Sequence, residues 1–218
     1  MIKFLTLTVV PRSRLIVLLV ATVLWLGGCE PKPPPIVTVS GNTMGTTYSV
    51  KVVGANVDRD KLQNAVQMTV DRINQLMSNY KDDSELSLLN RSALDTRFPV
   101  SNETREVLAL SAQIHALSDG AFDISLGPVV ELWGFGPTPT DLRVPPTEVI
   151  TEALSQTGTD GLVLGDVYVQ RTRDISLDLS AIAKGYAVDQ VARMLDSEGY
   201  KDYLVEIGGE LKGLGTNQ

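Results

Sequence analysis

The chain has 218 residues with one cysteine, one histidine, and 19 basic against 26 acidic residues. That length holds one domain with a sizeable core. A single cysteine excludes an internal disulfide, and one histidine beside one thiol argues against zinc.

Lys3, Arg12 and Arg14 are the only charges in the first 28 residues, so removing that stretch leaves 16 basic against 26 acidic residues, a net charge near −10. A surface that acidic argues against nucleic-acid binding, which rests on neutralising phosphates. The three basic residues precede an apolar run, Leu15 to Leu26. It is shorter than the ~20 residues of a membrane-spanning helix and suits a signal-peptide core. The run ends in Leu26-Gly27-Gly28-Cys29, which resembles a lipobox. Small residues let a peptidase reach the backbone, and the Cys29 thiol then accepts the lipid. The expectation is a signal peptide over 1–28, lipidation at Cys29, and a proline-rich tether through Pro35 that forms neither helix nor central strand. Acyl chains (diacylglycerol and palmitate) would hold the protein on the periplasmic side of a membrane, inner or outer.

Residues 36–218 read as one folded unit. Ile36–Ser40 and Thr46–Val53 are β-rich, with Gly41-Asn42 as the turn between them. Asp58 caps a helix to about Ser78 with Leu62, Val66, Val70, Ile73 and Met77 on one face. Tyr80–Ser84 is a polar loop, and Ser84-Glu85 opens a short turn. Ser101 caps a second helix with Val107, Leu110, Ile114 and Leu117 at helical spacing, stopped by Asp119-Gly120. Gly127–Pro146 is rich in Gly and Pro and reads as loop. Thr147–Gln156 reads as a short helix, and Leu162–Gln170 as a hairpin turning at Gly165-Asp166. Ile175, Leu177 and Leu179 alternate as a strand. Ser180 caps a helix to about Ser197, with Ile182, Val188, Val191 and Leu195 inward. Tyr203–Ile207 and Leu211–Leu214 are strands about a Gly208-Gly209 turn. Helices and strands interleave without regular βαβ spacing, so the fold class is α+β with mixed sheets and packed helices.

Chemistry concentrates in Asp178-Leu179-Ser180-Ala181-Ile182-Ala183-Lys184-Gly185-Tyr186. A strand tip bears an acid and a helix begins at once. The first helix amides favour anions such as phosphate. Lys184 adds a full charge, and Asp178 accepts hydrogen bonds from a base or ribose. The same residues equally suit a capped helix with Lys184 in solvent. Gly120-Ala121-Phe122-Asp123 offers a tight turn and a flat apolar face, or simply a core aromatic and a turn cap. Met44-Gly45 permits close backbone approach and a soft contact on a ring, or a hairpin edge. His115 reads as a half-buried histidine rather than a base. Neither a P-loop nor a Rossmann glycine signature is present.

In this order, the segments resemble the ApbE family of FAD:protein FMN transferases. The matching pieces are Met44-Gly45-Thr46-Thr47-Tyr48, Tyr80-Lys81-Asp82-Asp83-Ser84-Glu85-Leu86-Ser87 with Leu89-Asn90, Gly120-Ala121-Phe122-Asp123, Leu126-Gly127-Pro128 with Leu132-Trp133-Gly134-Phe135-Gly136, Asp178 to Tyr186, and Ile207-Gly208-Gly209-Glu210. The resemblance implies an ApbE-like, T-fold-related α+β architecture. It implies FAD as substrate, Mg2+ as cofactor, and transfer of FMN to a threonine of a target protein with release of AMP. Flavin-accepting subunits of membrane redox complexes are the implied partners. By position, Met44, Tyr80, Ala121, Phe122, Asp123, Asp178 and Lys184 are flavin-nucleotide contacts, and Ala181 is a metal ligand through its backbone oxygen. No catalytic residue is assigned. Family members continue past the Gly-Gly-Glu segment into a half with a histidine motif and an Asp and Thr that complete the metal site. The resemblance therefore implies a truncated product whose last strand leaves apolar surface open. An FAD pyrophosphatase and a non-catalytic flavin-binding lipoprotein stay open as alternatives.

Overall fold

The computed structural model describes residues 33–138 and 144–216. The signal segment, Cys29 and the first proline of the tether lie outside the described residues, as does part of the Gly- and Pro-rich stretch.

Strands β1 (Ile36–Thr43) and β2 (Thr46–Val53) form an antiparallel hairpin with Thr43 opposite Thr46. The turn is Met44-Gly45, at φ 48° and 72°; two positive φ values match the twist of the strands they join. It was expected at Gly41-Asn42. Gly41 instead stays in the ladder opposite Tyr48. A Cβ there would lie 2.7 Å from the Tyr48 hydroxyl, so the glycine makes room for a ring rather than a turn.

Helix α1 (Arg59–Met77) is capped by Asp58, whose Oδ1 accepts the Asp60 and Lys61 N–H groups at 3.0 Å each. Its expected stripe, Leu62 to Met77, is buried. Ser84 caps α2 (Glu85–Arg91) and Ser101 caps α3 (Asn102–Leu117). The buried face of α3 is Thr104, Val107, Leu108 and Ser111, whereas Leu110 and Leu117 are 41% and 88% exposed. Both stripes have helical spacing, and packing against neighbours selects between them. Helix α4 (Gly127–Leu132) occupies the start of the expected loop. Pro128 begins this helix rather than breaking one, because a first-turn residue needs no N–H. Helix α5 (Thr147–Ser155) packs on it.

Strands β3 (Phe98–Pro99), β4 (Leu162–Leu164) and β5 (Tyr168–Arg171) form an antiparallel sheet in the order β3-β5-β4. The β4–β5 hairpin was expected; β3 is too short to show a period.

Ile175 to Leu179 departs from expectation. Its alternation is real as burial, with Ile175, Leu177 and Leu179 at 1%, 0% and 0% exposure. Its backbone, however, joins no strand ladder. Leu177 N–H donates to Asn90 Oδ1 at 2.8 Å, and Asn90 Nδ2 donates to Leu177 O at 2.9 Å. Asp178 N–H donates to Ile124 O at 2.8 Å, and one bridge joins Ser176 to Leu126. A single amide side chain thus supplies the donor and acceptor a neighbouring strand would.

Helix α6 (Ser180–Ser197) leads to β6 (Tyr203–Ile207) and β7 (Glu210–Leu214). The larger sheet is antiparallel, in the order β1-β2-β6-β7. Helices α1 and α6 pack on this sheet and on each other. The core between them includes Val39, Val50, Val66, Val191, Val205 and Ile207, each 0% exposed. Tyr186 on α6 donates to Glu106 Oε2 on α3 at 2.7 Å. Burial, then that carboxylate, raises the Tyr186 phenol above its ordinary pKa, and the phenol's hydrogen bond holds Glu106 below its own. On β7, Leu211 and Leu214 are 64% and 46% exposed. The fold is α+β, with two antiparallel sheets and packed helices. No helix among the described residues is long and apolar enough to cross a membrane.

Candidate functional site

The β1–β2 hairpin tip, the end of α1 and the first turns of α6 converge on a cavity of about 450 Å3, a size in the range of small-molecule sites. Met44, Met77, Asn79, Tyr80, Ser180 and Lys184 are among its lining residues. Three expected site residues from three distant segments therefore share one cavity. Met44 reaches it from a left-handed backbone conformation, which costs a non-glycine residue about 1 kcal/mol. Lys184 Nζ donates to Glu210 Oε1 at 2.7 Å. Its stem passes the Gly208 turn, where a Cβ would lie 3.1 Å from Lys184 Cδ and φ is 58°. The glycine pair thus leaves space for the lysine as well as turning the chain. Asn79 Oδ1 is buried with no hydrogen-bond partner.

Asp178 lies elsewhere. It lines a second cavity of about 310 Å3 with Asn79, Asn90, Arg91, Glu131 and Gly136. Asn79 lines both, so the two cavities adjoin. Asp178 Oδ1 accepts the Ser180 N–H at 2.7 Å. The expected cap, Ser180, is the first residue of α6, and Leu179 at the cap position offers no side-chain acceptor. Asp178 takes over the capping, so one of the first helix amides is already satisfied and a carboxylate stands at the helix mouth.

Ala121, Phe122 and Asp123 line neither of these cavities. Phe122 packs partly buried against the core. Asp123 Oδ1 accepts the Ser125 N–H at 2.7 Å and its hydroxyl at 2.6 Å, which is turn-cap chemistry. His115 Nδ1 sits 2.8 Å from Phe122 O and 3.8 Å from Asp123 Oδ2, so the histidine braces this loop. Ala181 lines a groove of about 450 Å3 with Leu110, Ile114, Gly185 and Glu210, and Glu210 Oε2 there is buried without a hydrogen-bond partner. The Ala181 carbonyl and the Glu210 carboxylate are hard oxygen donors of the kind magnesium takes. Among the described residues, no three His, Cys, Asp or Glu side chains gather. The expected site residues do not include Asn79, Asn90, Arg91 and Glu131, which line the second cavity; Asn79 stands beside Tyr80 and Asn90 lies in one of the matching segments, while Arg91 and Glu131 carry no sequence signal.

The fold and this cluster of segments define the class. A family model described as ApbE family matches residues 44–218, and the chain belongs to that family. It is 39% identical over 201 residues to the FAD:protein FMN transferase of Vibrio cholerae, covering 91% of this chain and 60% of that protein. It is 36% identical over 214 residues to the Escherichia coli protein of the same name, covering 92% and 61%. Among solved structures, the flavin transferase ApbE from Vibrio cholerae matches with a TM-score of 0.82 at 38% identity, over 85% of this chain and 61% of that one. The Pseudomonas stutzeri flavinyl transferase ApbE in its apo form matches with a TM-score of 0.81 at 35% identity, over 87% and 64%. The chain spans about three fifths of the length of the curated relatives it matches.

Proposed function

We propose that this chain carries the flavin-nucleotide site of an FAD:protein FMN transferase, an enzyme that moves the FMN half of FAD onto a threonine of a target protein. The observation that carries this reading is the cavity joining Met44, Tyr80 and Lys184 beside the mouth of α6. Names borne by the relatives support the activity. Met44 and Tyr80 offer soft and flat apolar walls to a ring. Lys184 and the partial positive charge of the helix start favour phosphate. Asp178 accepts from a ribose or base in the adjoining cavity.

In the proposed reaction the threonine Oγ bonds to the phosphorus that carries riboflavin. The bond from that phosphorus to the bridging oxygen breaks, AMP leaves with the oxygen, and the hydroxyl proton passes to solvent or a base. In-line placement does much of the work, and Lys184 offsets charge on the departing phosphate. Mg2+ dependence belongs to the proposal, since phosphate oxygens and the Ala181 carbonyl are hard ligands. So do flavin-accepting subunits of membrane redox complexes as targets, and a lipid anchor at Cys29 on the periplasmic side of the membrane.

The test is incubation of the chain with FAD, Mg2+ and a threonine-bearing target peptide, with an EDTA control. Covalent flavin on the peptide and free AMP, both lost with EDTA, support the transferase, and flavin binding without turnover marks a non-catalytic binder. Free FMN with an unlabelled peptide would mark a pyrophosphatase instead. Flavin fluorescence that never changes on titration removes the site altogether. Metabolic palmitate labelling that persists in Cys29→Ser would refute the anchor.

A further inference from the structure

Tyr80, a wall of the first cavity, donates its hydroxyl to Phe135 O at 2.7 Å. Tyr80 is 64% exposed and Phe135 72% exposed. A ring that open is not fixed by packing, so this hydrogen bond orients it. The bond in turn requires the Phe135 carbonyl to be held still, and the chain holds it from Val130 and Glu131. Gly134 N–H donates to Glu131 O at 2.9 Å, and Phe135 N–H donates to Val130 O at 3.0 Å. Glu131 Oε1 then accepts the Thr138 N–H at 3.2 Å from the far side of the turn. Gly134 takes φ 80°, and Gly136 has no side chain because the Glu131 carboxylate fills that place. A Cβ on Gly136 would overlap Oε2 and lie 2.6 Å from the carboxyl carbon. The turn from Trp133 to Thr138 is folded around one carboxylate.

We propose that Glu131 is a positioning residue of the flavin site: it anchors the Trp133–Thr138 turn, whose Phe135 carbonyl fixes the Tyr80 ring on the cavity wall. The inference rests on the flavin reading for its consequence, but the linkage itself is present without ligand. Glu131 also lines the second cavity, so direct contact between its charge and the ligand is the rival account. The two differ in the ligand-free protein.

The chain has two tryptophans, Trp25 and Trp133, so Trp25→Phe in the full chain makes Trp133 a private reporter of the turn. In that background, Glu131→Ala and Tyr80→Phe each shift ligand-free Trp133 emission to the red and raise its quenching by acrylamide. The double variant goes no further than the larger single effect, because both cut the same chain of contacts. The Kd for FAD, read by flavin fluorescence, rises roughly five- to ten-fold in each, the loss of about one hydrogen bond. Glu131→Gln keeps an acceptor for Thr138 N–H and stays within about two-fold of the parent. Far-UV circular dichroism matching the parent certifies that the variants fold, and Tyr80→Phe, which cuts the same chain at the Phe135 carbonyl, carries the test if the alanine variant does not fold. An unaltered Trp133 signal in Glu131→Ala overturns the inference, and weakened FAD binding alongside it assigns Glu131 to direct ligand contact. Red-shifted emission in both variants, with no FAD bound by the parent, upholds the linkage and sinks the flavin reading.

Discussion

Neutralising Glu210 asks whether Lys184 is held ready for an anion or committed to its partner. The pair is 2.7 Å apart, with side chains 32% and 38% exposed. A pair that open contributes about 0.2–1 kcal/mol to stability. The second carboxylate oxygen, Oε2, is buried without a hydrogen-bond partner, and burying an unsatisfied polar atom offsets part of that gain. Glu210→Gln is therefore expected to change the unfolding free energy by less than about 0.5 kcal/mol. Ligand binding should respond more, and in the opposite direction. A phosphate entering the cavity competes with Glu210 for Lys184 and meets a like charge behind it. At ~7 Å and an effective dielectric between surface and bulk values, that repulsion is worth about 1 kcal/mol, so FAD should bind Glu210→Gln about five-fold more tightly. Lys184→Met removes a charge-assisted contact worth about 1.5–3 kcal/mol, so binding should weaken by roughly ten- to hundred-fold. Isothermal titration at two ionic strengths reads both, and the gap should narrow as salt screens the charges. If Glu210→Gln loses affinity as Lys184→Met does, the intact pair is what the ligand needs, and the competition argument is refuted.

Three further outcomes follow from the packing. Burial raises the Tyr186 phenol and pushes Tyr203 up to about 12 from its ordinary 10.0. The fold thus favours neutral rings, and the stability they add is whole below about pH 10 and is lost as pH climbs toward 12. Thermal midpoints should fall across that window and fall less in Tyr203→Phe. Glu106 runs the other way: its pKa is lowered from 4.5, first by the Tyr186 hydroxyl, so its contribution stands above that value and fades as pH drops beneath it. An acid limb of the stability profile unmoved by Glu106→Gln would contradict this. Asn90→Ala strips Leu177 of both backbone partners and should cost about 2 kcal/mol in denaturant unfolding; a neutral result would mean water or a shifted strand replaces the amide.

What the sequence made legible was mostly period and punctuation. The α1 stripe, the caps at Asp58 and Ser101, and the β4–β5 hairpin follow from spacing and short polar side chains, and all appear, while the turn read at Ser84-Glu85 is the capped start of helix α2. The differences fall where a residue's role is set by what packs or pairs with it rather than by its own type. Gly41 reads as a turn until Tyr48 is seen lying across it. Ile175 to Leu179 reads as a strand because its side chains alternate, yet its backbone is satisfied by Asn90, far earlier in the chain. Pro128 reads as a breaker because nothing local says that it is a first-turn residue. The site fared the same way. Met44 and Lys184 are visible as local chemistry and Tyr80 only through the family resemblance, but which of them share a cavity is decided by how the hairpin tip and α1 meet α6. Asn79 and Glu131 act through an unpaired oxygen and a folded turn, and neither feature has a period.

Helix geometry also explains why the segment from Asp178 to Tyr186 does not act as a single patch. Residues three and four apart share a helix face, while neighbours diverge by about 100°. Ser180, Ala183 and Lys184 fall together and line the first cavity. Ala181, Ile182, Gly185 and Asp189 fall together on another face and line the groove against α3 and β7. Asp178 precedes the helix and opens onto the second cavity. Charge expected at one mouth is thus divided among three walls. Glu210 spans two of them, lining the groove beside Ala181 while pairing with Lys184 across the helix. A cation near the Ala181 carbonyl and a phosphate near Lys184 would therefore feel each other through this carboxylate. A cation drawing Glu210 toward itself would free Lys184, so added Mg2+ should tighten FAD binding in the parent and do so less in Glu210→Gln. Equal Mg2+ enhancement in the two proteins would show that the helix faces act independently.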